Sequence, residues 1–196
     1  MPAEATPAET ARKIIHLGSL VFPASLVVLP EPYGRDFIYA ATAGALLIEA
    51  SRRLFPSFNR FFTGTFSSLL RPRECQKITD ATWLLLSSCA IMAFLPLSRC
   101  SLILSQHIVG DAAAALVGQR WGKHKIGLKS LEGSLTYLAG AWLVFLFYRW
   151  QIIGPQNVVL FLGLGILFTI LELVSSRGRD NLYVPILGGL SYKLFW

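Results

Sequence analysis

The chain has 196 residues, of which 54% are hydrophobic and 15% are charged, and its mean hydropathy is +0.54. An average soluble domain carries about 25% charged residues, so one soluble core of this length cannot enclose so much apolar sequence. The formal net charge of +7 suits nucleic acid, anionic lipid or a phosphorylated substrate as a partner. The three cysteines are odd in number and lack CxxC spacing, which excludes a disulfide framework or zinc site of the usual kind.

Apolar runs alternate with charged connectors along the chain and predict an all-α membrane bundle of about seven transmembrane helices. The predicted spans are residues 14–30, 36–51, 81–97, 101–118, 134–150, 157–174 and 182–196. Several are short for a spanning helix, which needs roughly 17–25 residues, and the second and last fit this range least. The preceding tail, 1–10, is polar and rich in Pro and Ala, and we expect it to be mobile. The whole chain, 1–196, is predicted to form a single membrane-embedded domain.

The longest connector, residues 52–80, contains an amphipathic pattern. Its large apolar side chains recur at spacings of three and four and so share one helical face: Phe55, Phe58, Phe62, Phe66 and Leu69. Arginines flank this face. The pattern predicts a basic amphipathic helix in the membrane interface, or a segment packed on the surface of the bundle.

The distribution of Lys and Arg predicts the orientation of the bundle. With seven spans, one side receives Arg12, Lys13, Arg52, Arg53, Arg60, Arg71, Arg73, Lys77, Arg120, Lys123, Lys125, Lys129, Arg177 and Arg179. The other side receives Arg35, Arg99, Arg149 and Lys193. The positive-inside rule places the first set, and with it the N-terminus, in the cytoplasm and the C-terminus on the opposite side. Topology therefore explains the basic charge without nucleic acid as a partner.

Acidic and imidazole side chains gather at the predicted cytoplasmic ends of separate spans: His16, Glu49, Asp111, Glu132, Glu172 and Asp180. Asp111 is the most informative, because an aspartate at the centre of a spanning helix costs about 2.5–3.5 kcal/mol on insertion. Such a carboxylate is normally paired, solvated in a cavity or bound to a cation. The structural alternative to a functional role is a pair with His107, four residues earlier on the same face.

Other candidates have equally plain structural explanations. Glu49 and Arg53 are spaced for an ion pair within a helix, as an alternative to a catalytic role for Glu49. His16 fits a base, a phosphate ligand or an interfacial residue. Asp180 and Asn181 fit either a helix cap or oxygen ligands for Mg²⁺.

The segment 118–134, GQRWGKHKIGLKSLEGS, interleaves glycines with cations. Glycine lets backbone N–H groups approach phosphate oxygens, and Lys and Arg neutralise their charge, so the segment predicts a triphosphate site. Its nucleotide-binding candidates are Gly118, Gly122, Lys123, Lys125, Lys129, Ser130, Gly133 and Ser134. The spacing is not that of a P-loop, and the chain has no GxGxxG, HRD or DFG kinase motif.

Five motifs in this order resemble the CTP-dependent lipid-alcohol kinases, which include dolichol kinase, phytol kinase and the yeast-type diacylglycerol kinase. They are RKIIH at 12–16, E-x-x-R at 49–52, LRPRE ending at Glu74, GDAAAALVGQRWGKHKIGLKSLEGS at 110–134 and DNLYVP at 180–185. The central motif is the most specific. The resemblance extends from Arg12 to Pro185.

The resemblance implies a catalytic domain that transfers the γ-phosphate of CTP to the hydroxyl of a membrane lipid alcohol with Mg²⁺. It implies that Asp111 is a metal ligand or catalytic acid, and that Arg12, Lys13, Lys123, Lys125 and Lys129 contact phosphate. Glu132 and Ser134 match the family's EGS element. For such an enzyme we expect Mg²⁺ ligands among Asp111, Glu132 and Asp180, and a base among Asp111, His16 and Glu49.

Two other functions stay open at this point. A cytidylyltransferase related to this group would use the same site to join CMP to a lipid phosphate. A transporter or lipid-binding membrane protein would perform no chemistry, although the chain shows no convincing internal repeat and its acids cluster at one face.

Overall fold

The computed structural model describes residues 7–127, 129–150, 158–175 and 179–195. Its helices are α1 (Pro7–Gly18), α2 (Val21–Val28), α3 (Tyr33–Leu54), α4 (Pro56–Thr65), α5 (Asp80–Met92), α6 (Leu97–Trp121), α7 (Leu131–Tyr148), α8 (Val158–Val174) and α9 (Asp180–Phe195), with a 3-10 helix at Pro72–Cys75. A hairpin of β1 (Lys125–Ile126) and β2 (Lys129–Ser130) joins α6 to α7. The predicted helical class is confirmed, with this short antiparallel hairpin as the addition.

Helix α6 is the centre of the bundle. It contacts α1, α2, α5, α7, α8 and α9, and 72% of its apolar window is buried inside the protein. Its closest neighbour is α7, because small residues face each other across the contact. A Cβ added at Gly110 would come within 2.9 Å of the Tyr137 ring, and one added at Gly140 would lie 3.5 Å from the Gly110 Cα. Such close approach increases the packing contact between two apolar helices.

By length and composition, three helical segments in the described residues can cross a membrane: Glu9–Val28, Leu97–Trp121 and Leu131–Tyr148. They correspond to the first, fourth and fifth predicted spans. Their outward faces and those of their neighbours carry large exposed apolar side chains, among them Leu47, Leu135, Leu143, Phe147, Val159 and Ile166. A bundle with an apolar outer surface of this kind indicates a membrane protein.

The other four predicted spans do not meet the same length and composition. Helix α3 has 22 residues but carries five charged side chains, and α5 has only 13 residues. The apolar part of α8, Leu162–Val174, is also short, and α9 has 16 residues. Seven transmembrane helices are therefore not confirmed. Residue 157 of the predicted sixth span and Trp196 of the seventh lie outside the described residues.

Two predictions near the connectors need correction. The expected mobile tail, 1–10, overlaps α1, because the helix begins at Pro7; residues 1–6 lie outside the described part. The amphipathic helix predicted in the long connector is shorter than expected. The apolar pattern runs from Phe55 to Leu69, whereas α4 ends at Thr65. The rings of Phe58, Phe62 and Phe66 nevertheless follow one another along one side, with centroids 6.5 Å and 4.9 Å apart.

Candidate active site

A cavity of about 500 Å³ opens between α1–α2, the segment that follows α4, and the helices α5, α6 and α9. One part of its wall is charged or polar and is formed by Arg12, Lys13, His16, Arg71, Glu74, Thr79, Asp80, Asp111, Asp180 and Asn181. The other part is apolar and is formed mainly by Ile15, Val21, Phe22, Phe62, Phe66, Leu69, Leu70, Leu84 and Leu85. Its volume is typical of a small-molecule site, and its two-part wall suits an amphipathic ligand.

Asp111 of α6 meets two basic side chains of α1 at the polar end. Its Oδ2 accepts a hydrogen bond from the Lys13 ammonium group, and the His16 Nε2 lies 3.3 Å from the same oxygen. Lys13 and His16 are three residues apart and so project from the same side of α1. One helix therefore presents both a cation and an imidazole to the carboxylate of another.

The alternative pair between Asp111 and His107 is wrong. His107 is fully buried, and its ring nitrogens lie 3.1 Å from the Tyr137 hydroxyl and 2.9 Å from the Asn181 Oδ1. Asn181 in turn donates to the Asp80 carbonyl at 3.1 Å. His107 therefore connects α6 to the N-terminal ends of α9 and α5, and leaves Asp111 to the residues of α1.

Asp80, at the start of α5, is a cavity residue that sequence reasoning missed. Its carboxylate accepts hydrogen bonds from Arg71 at 2.7 Å and from Arg73 at 2.7 and 2.9 Å. Burial and the nearby Glu74 carboxylate raise the pKa of Asp80 to about 6, and the two arginines offset this only in part. The motif LRPRE contains its partners, Arg71 and Arg73. Asp80 itself gave no signal in the sequence, because a single aspartate at the start of a helix is a common cap.

Glu49 does not line the cavity. It is buried, and its Oε1 accepts from the Thr79 backbone N–H at 2.9 Å and from the Thr82 hydroxyl at 3.4 Å. Its ion-pair partner is Arg52 at 3.4 Å, whereas Arg53 is exposed, so the predicted Glu49–Arg53 pair is wrong. The structure thus gives Glu49 an anchoring position behind the site rather than a contact with a ligand in the cavity.

Lys129 of β2 is turned inward, toward α8 and α9. Its ammonium group lies 2.5 Å from the Glu172 Oε1 and 3.9 Å from the Asp180 Oδ2, and it also donates to the Glu172 carbonyl. Asp180 lines the cavity, so Lys129 adjoins the polar end through it. Lys129 thus brings together Glu172 and Asp180, two of the acidic residues that the sequence placed at the same face of the bundle.

Three glycines of the segment 118–134, Gly118, Gly122 and Gly133, have a packing role. A Cβ added at Gly122 would lie 2.2 Å from the Gly118 carbonyl oxygen and 2.6 Å from the Ser130 Oγ. A Cβ added at Gly133 would lie 3.0 Å from the Ala114 carbonyl oxygen. Ser130 caps α7 by accepting from the Gly133 N–H at 3.2 Å. These residues let the end of α6 and the start of α7 touch, and none of them lines the cavity described above.

The remaining candidates of this segment lie on or beside the hairpin. Lys123 and Lys125 are exposed, and Gly127 occupies the turn with a φ of +60°. Glu132 accepts from the His124 backbone and lies 2.7 Å from the His124 Nδ1. Ser134 is buried, and its hydroxyl has no hydrogen-bond partner among the residues that the structure describes. Like the glycines, these side chains are outside the cavity wall.

The carboxylates of Glu74, Asp80, Asp111 and Asp180 line the cavity. Across the described ranges, no group of three or more His, Cys, Asp or Glu is arranged to hold a metal ion, and Glu132 is turned toward the hairpin. Mg²⁺ rarely needs such a cage, because it is commonly held by one or two carboxylates together with substrate phosphates. Asp111 and Asp180 both line the cavity, and their carboxylate oxygens are of the type that Mg²⁺ prefers.

The structure thus brings Arg12, Lys13, His16, Asp111 and Asp180 to one cavity. It adds Arg71, Glu74 and Asp80, which sequence reasoning did not place in a site, and Asn181, which the sequence offered only as a helix cap or an oxygen ligand for Mg²⁺. These four are separated from Asp111 by many residues and become neighbours only because α5 and α9 begin beside α1. Asn181 was visible in the sequence beside Asp180, but its contact with His107 was not.

Sequence comparisons place the chain near two curated proteins. It is 29% identical to a phytol kinase of Synechocystis over 190 residues, which are 92% of this chain and 77% of the relative. It is also 25% identical to an uncharacterised protein of Rickettsia prowazekii over 194 residues, 95% and 94% of the two chains. No family model and no solved structure matches. The similarity to the first protein supports a link to lipid kinases across nearly the whole length.

Proposed function

We propose that this chain is a membrane lipid-alcohol kinase that transfers the γ-phosphate of CTP to the hydroxyl of a lipid alcohol. The observation that carries the proposal is the two-part cavity, in which ionised side chains and an apolar wall share about 500 Å³. A lipid alcohol has the same two parts, a polar hydroxyl and a hydrocarbon body. Similarity to a phytol kinase supports phosphoryl transfer as the reaction.

The polar end offers the groups that phosphoryl transfer needs. The reaction depends mainly on positioning and on neutralising phosphate charge. Lys13 supplies positive charge beside Asp111, and Lys129 lies 3.9 Å from Asp180. Arg12 lines the same cavity and is paired with Glu9 at 2.6 Å. The exposed Lys123 and Lys125, beside and on the hairpin, would contact the outer part of the nucleotide.

The chemical step forms a bond between the acceptor oxygen and the γ-phosphorus. The bond from that phosphorus to the oxygen that bridges the β- and γ-phosphates breaks, and CDP leaves. The proton of the acceptor hydroxyl passes to Asp111 or His16, whose carboxylate oxygen and Nε2 are 3.3 Å apart. Mg²⁺, when bound with the nucleotide, would neutralise phosphate oxygens, with Asp111 and Asp180 as the carboxylates available to hold it.

We propose the same orientation as the charge distribution predicts, with the N-terminus and the polar end of the cavity on the cytoplasmic side. Cytoplasmic CTP would then reach the charged residues directly. The lipid hydroxyl would approach from the membrane at the level of the headgroups.

The experiment is a matrix of nucleotides against lipids with detergent-purified protein. CTP, ATP, GTP and UTP, labelled at the α or the γ position, are incubated with phytol, a polyprenol, diacylglycerol or phosphatidate. We expect γ-label from CTP in a lipid alcohol and none from the α position. α-Label in phosphatidate would identify a cytidylyltransferase, and no transfer to any lipid by well-folded protein would contradict an enzymatic role.

A further inference from the structure

Three elements of the cavity wall change from polar to apolar along their length. Along α1–α2 the lining runs from Arg12, Lys13 and His16 to Val21 and Phe22, and along α5 it runs from Asp80 to Leu84 and Leu85. In the connector it runs backwards along the chain from Arg71 through Leu70 and Leu69 to Phe66 and Phe62. Since Arg71 lies 2.7 Å from Asp80 and 3.7 Å from Glu9, the polar ends of all three elements meet. Their apolar ends line the same cavity.

The cavity is lined over a long stretch of α1–α2. Arg12 at its polar end and Phe22 at its apolar end are ten positions apart on two consecutive helices, about 15 Å at 1.5 Å per residue. A path that begins among ion pairs and continues between apolar side chains matches one extended hydrocarbon chain with a polar head.

The outer wall of this path comes from α4 and the residues that follow it. The Arg52 guanidinium lies over the Phe62 ring at 4.5 Å and also donates to Asn59 at 3.1 Å and to the Glu74 carbonyl. Phe62 in turn contacts Phe66. The inner part of the wall is thus fixed to the protein, whereas Phe66, at the end of α4, is 40% exposed.

We infer that the space between α1–α2 and the segment 62–70 is the groove for the hydrocarbon chain of the acceptor, and that Phe66 and Leu70 determine which chains it accepts. The inference rests on the proposed lipid kinase function and names the specificity element of that site. Phe66 and Leu70 belong to a connector, so their side chains change the groove without altering the transmembrane packing. Their size sets how far and how wide an acceptor chain can extend from the polar end.

Steady-state kinetics with linear and isoprenoid alcohols of increasing length test this assignment. Phe66→Ala enlarges the groove, and Leu70→Phe narrows it. We expect the ratio of kcat/KM for long over short alcohols to rise about tenfold in the first variant and to fall about tenfold in the second. Phe61→Ala is the matched control, because Phe61 lies on α4, five positions before Phe66, but is 67% exposed and outside the cavity wall. Equal ratios in all three variants and the wild type would overturn the inference.

Photolabelling of the wild-type protein provides a readout that needs neither catalysis nor a folded variant. The probe is a long-chain alcohol with a diazirine at the end of its chain, added to protein in vesicles of neutral phospholipid. We expect label within residues 62–70 and at Val21 or Phe22, with competition by unlabelled alcohol. Label confined to outward positions such as Leu143 and Phe147 would contradict the groove. Label at 62–70 without phosphoryl transfer to any alcohol would retain the groove and reject the kinase proposal.

Discussion

Lys13 of α1 and Asp111 of α6 form an ion pair across 98 positions of sequence. Only 7% of the lysine side chain and 14% of the aspartate side chain are exposed. Loss of one partner of a buried pair typically costs 3–5 kcal/mol, because the other charge is left without compensation. The pair therefore joins two helices and places a carboxylate and an ammonium group at one point of the cavity.

Two variants separate the structural and chemical roles of this pair. Asp111→Asn should lower both the stability and the kcat, the latter by at least about 100-fold, because the carboxylate is lost. The double variant Lys13→Met with Asp111→Asn removes both charges and should regain most of the stability without regaining activity. Thermal unfolding in detergent and γ-phosphate transfer are the two measurements. Recovery of activity in the double variant would show that the pair is only structural.

Glu49→Gln should lower the stability of the protein but leave its activity nearly unchanged. Glu49 anchors the Thr79 backbone and the Thr82 hydroxyl behind the site, so its loss should cost about 1–3 kcal/mol of stability. The folded fraction should keep kcat and the KM for nucleotide within about threefold of the wild type. Assay at a low temperature, where the variant is still folded, makes the comparison valid. A loss of kcat as large as that of Asp111→Asn would return Glu49 to the list of catalytic candidates.

Gly122→Ala tests whether the glycines of the segment 118–134 serve packing or phosphate binding. The added Cβ would lie 2.2 Å from the Gly118 carbonyl oxygen, a backbone atom that cannot move freely, so stability should fall by about 1–3 kcal/mol. Gly127→Asn is the control, because Gly127 is open to solvent and Asn tolerates its φ of +60°. The control should change stability by less than about 0.5 kcal/mol. A raised KM for nucleotide in Gly122→Ala without destabilisation would favour the phosphate cradle.

The pKa of Asp80, raised from 3.8 to about 6, predicts a dependence of stability on pH. The folded protein binds the proton more tightly than the unfolded chain, so this group's contribution is largest below about pH 4 and is lost as the pH rises to about 6. The shift of about two pKa units corresponds to a change of about 3 kcal/mol in the free energy of unfolding. The stability of the wild type relative to Asp80→Asn should therefore fall across this window and stay constant above it. Unfolding of both proteins at several pH values measures this difference in stability. If the wild type instead gained stability relative to Asp80→Asn as the pH rose, the raised pKa of Asp80 would be contradicted.

Sequence alone determined the class of the protein and many of its chemical groups. The apolar composition and the helical runs depend on local residue types, so α6, α7 and the first apolar segment were predicted with nearly correct bounds. The same holds for Asp111, since a carboxylate within an apolar helix is visible without a structure. Length was harder to judge: α3 and α5 have helical patterns, but their charge and length do not suit a span.

Only the tertiary structure decided which groups face one another. Asp111 pairs with Lys13 rather than with His107, because α1 packs on α6 while His107 is occupied by Tyr137 and Asn181. Gly118, Gly122 and Gly133, which the sequence suggested for phosphate binding, lie where α6 touches α7, a contact that no local pattern indicated. Asp80 entered the site because α5 and α9 begin side by side. Local patterns report a residue's own helix and face, whereas a cavity depends on packing between helices distant in sequence, and that packing is set by side-chain shape over the whole bundle.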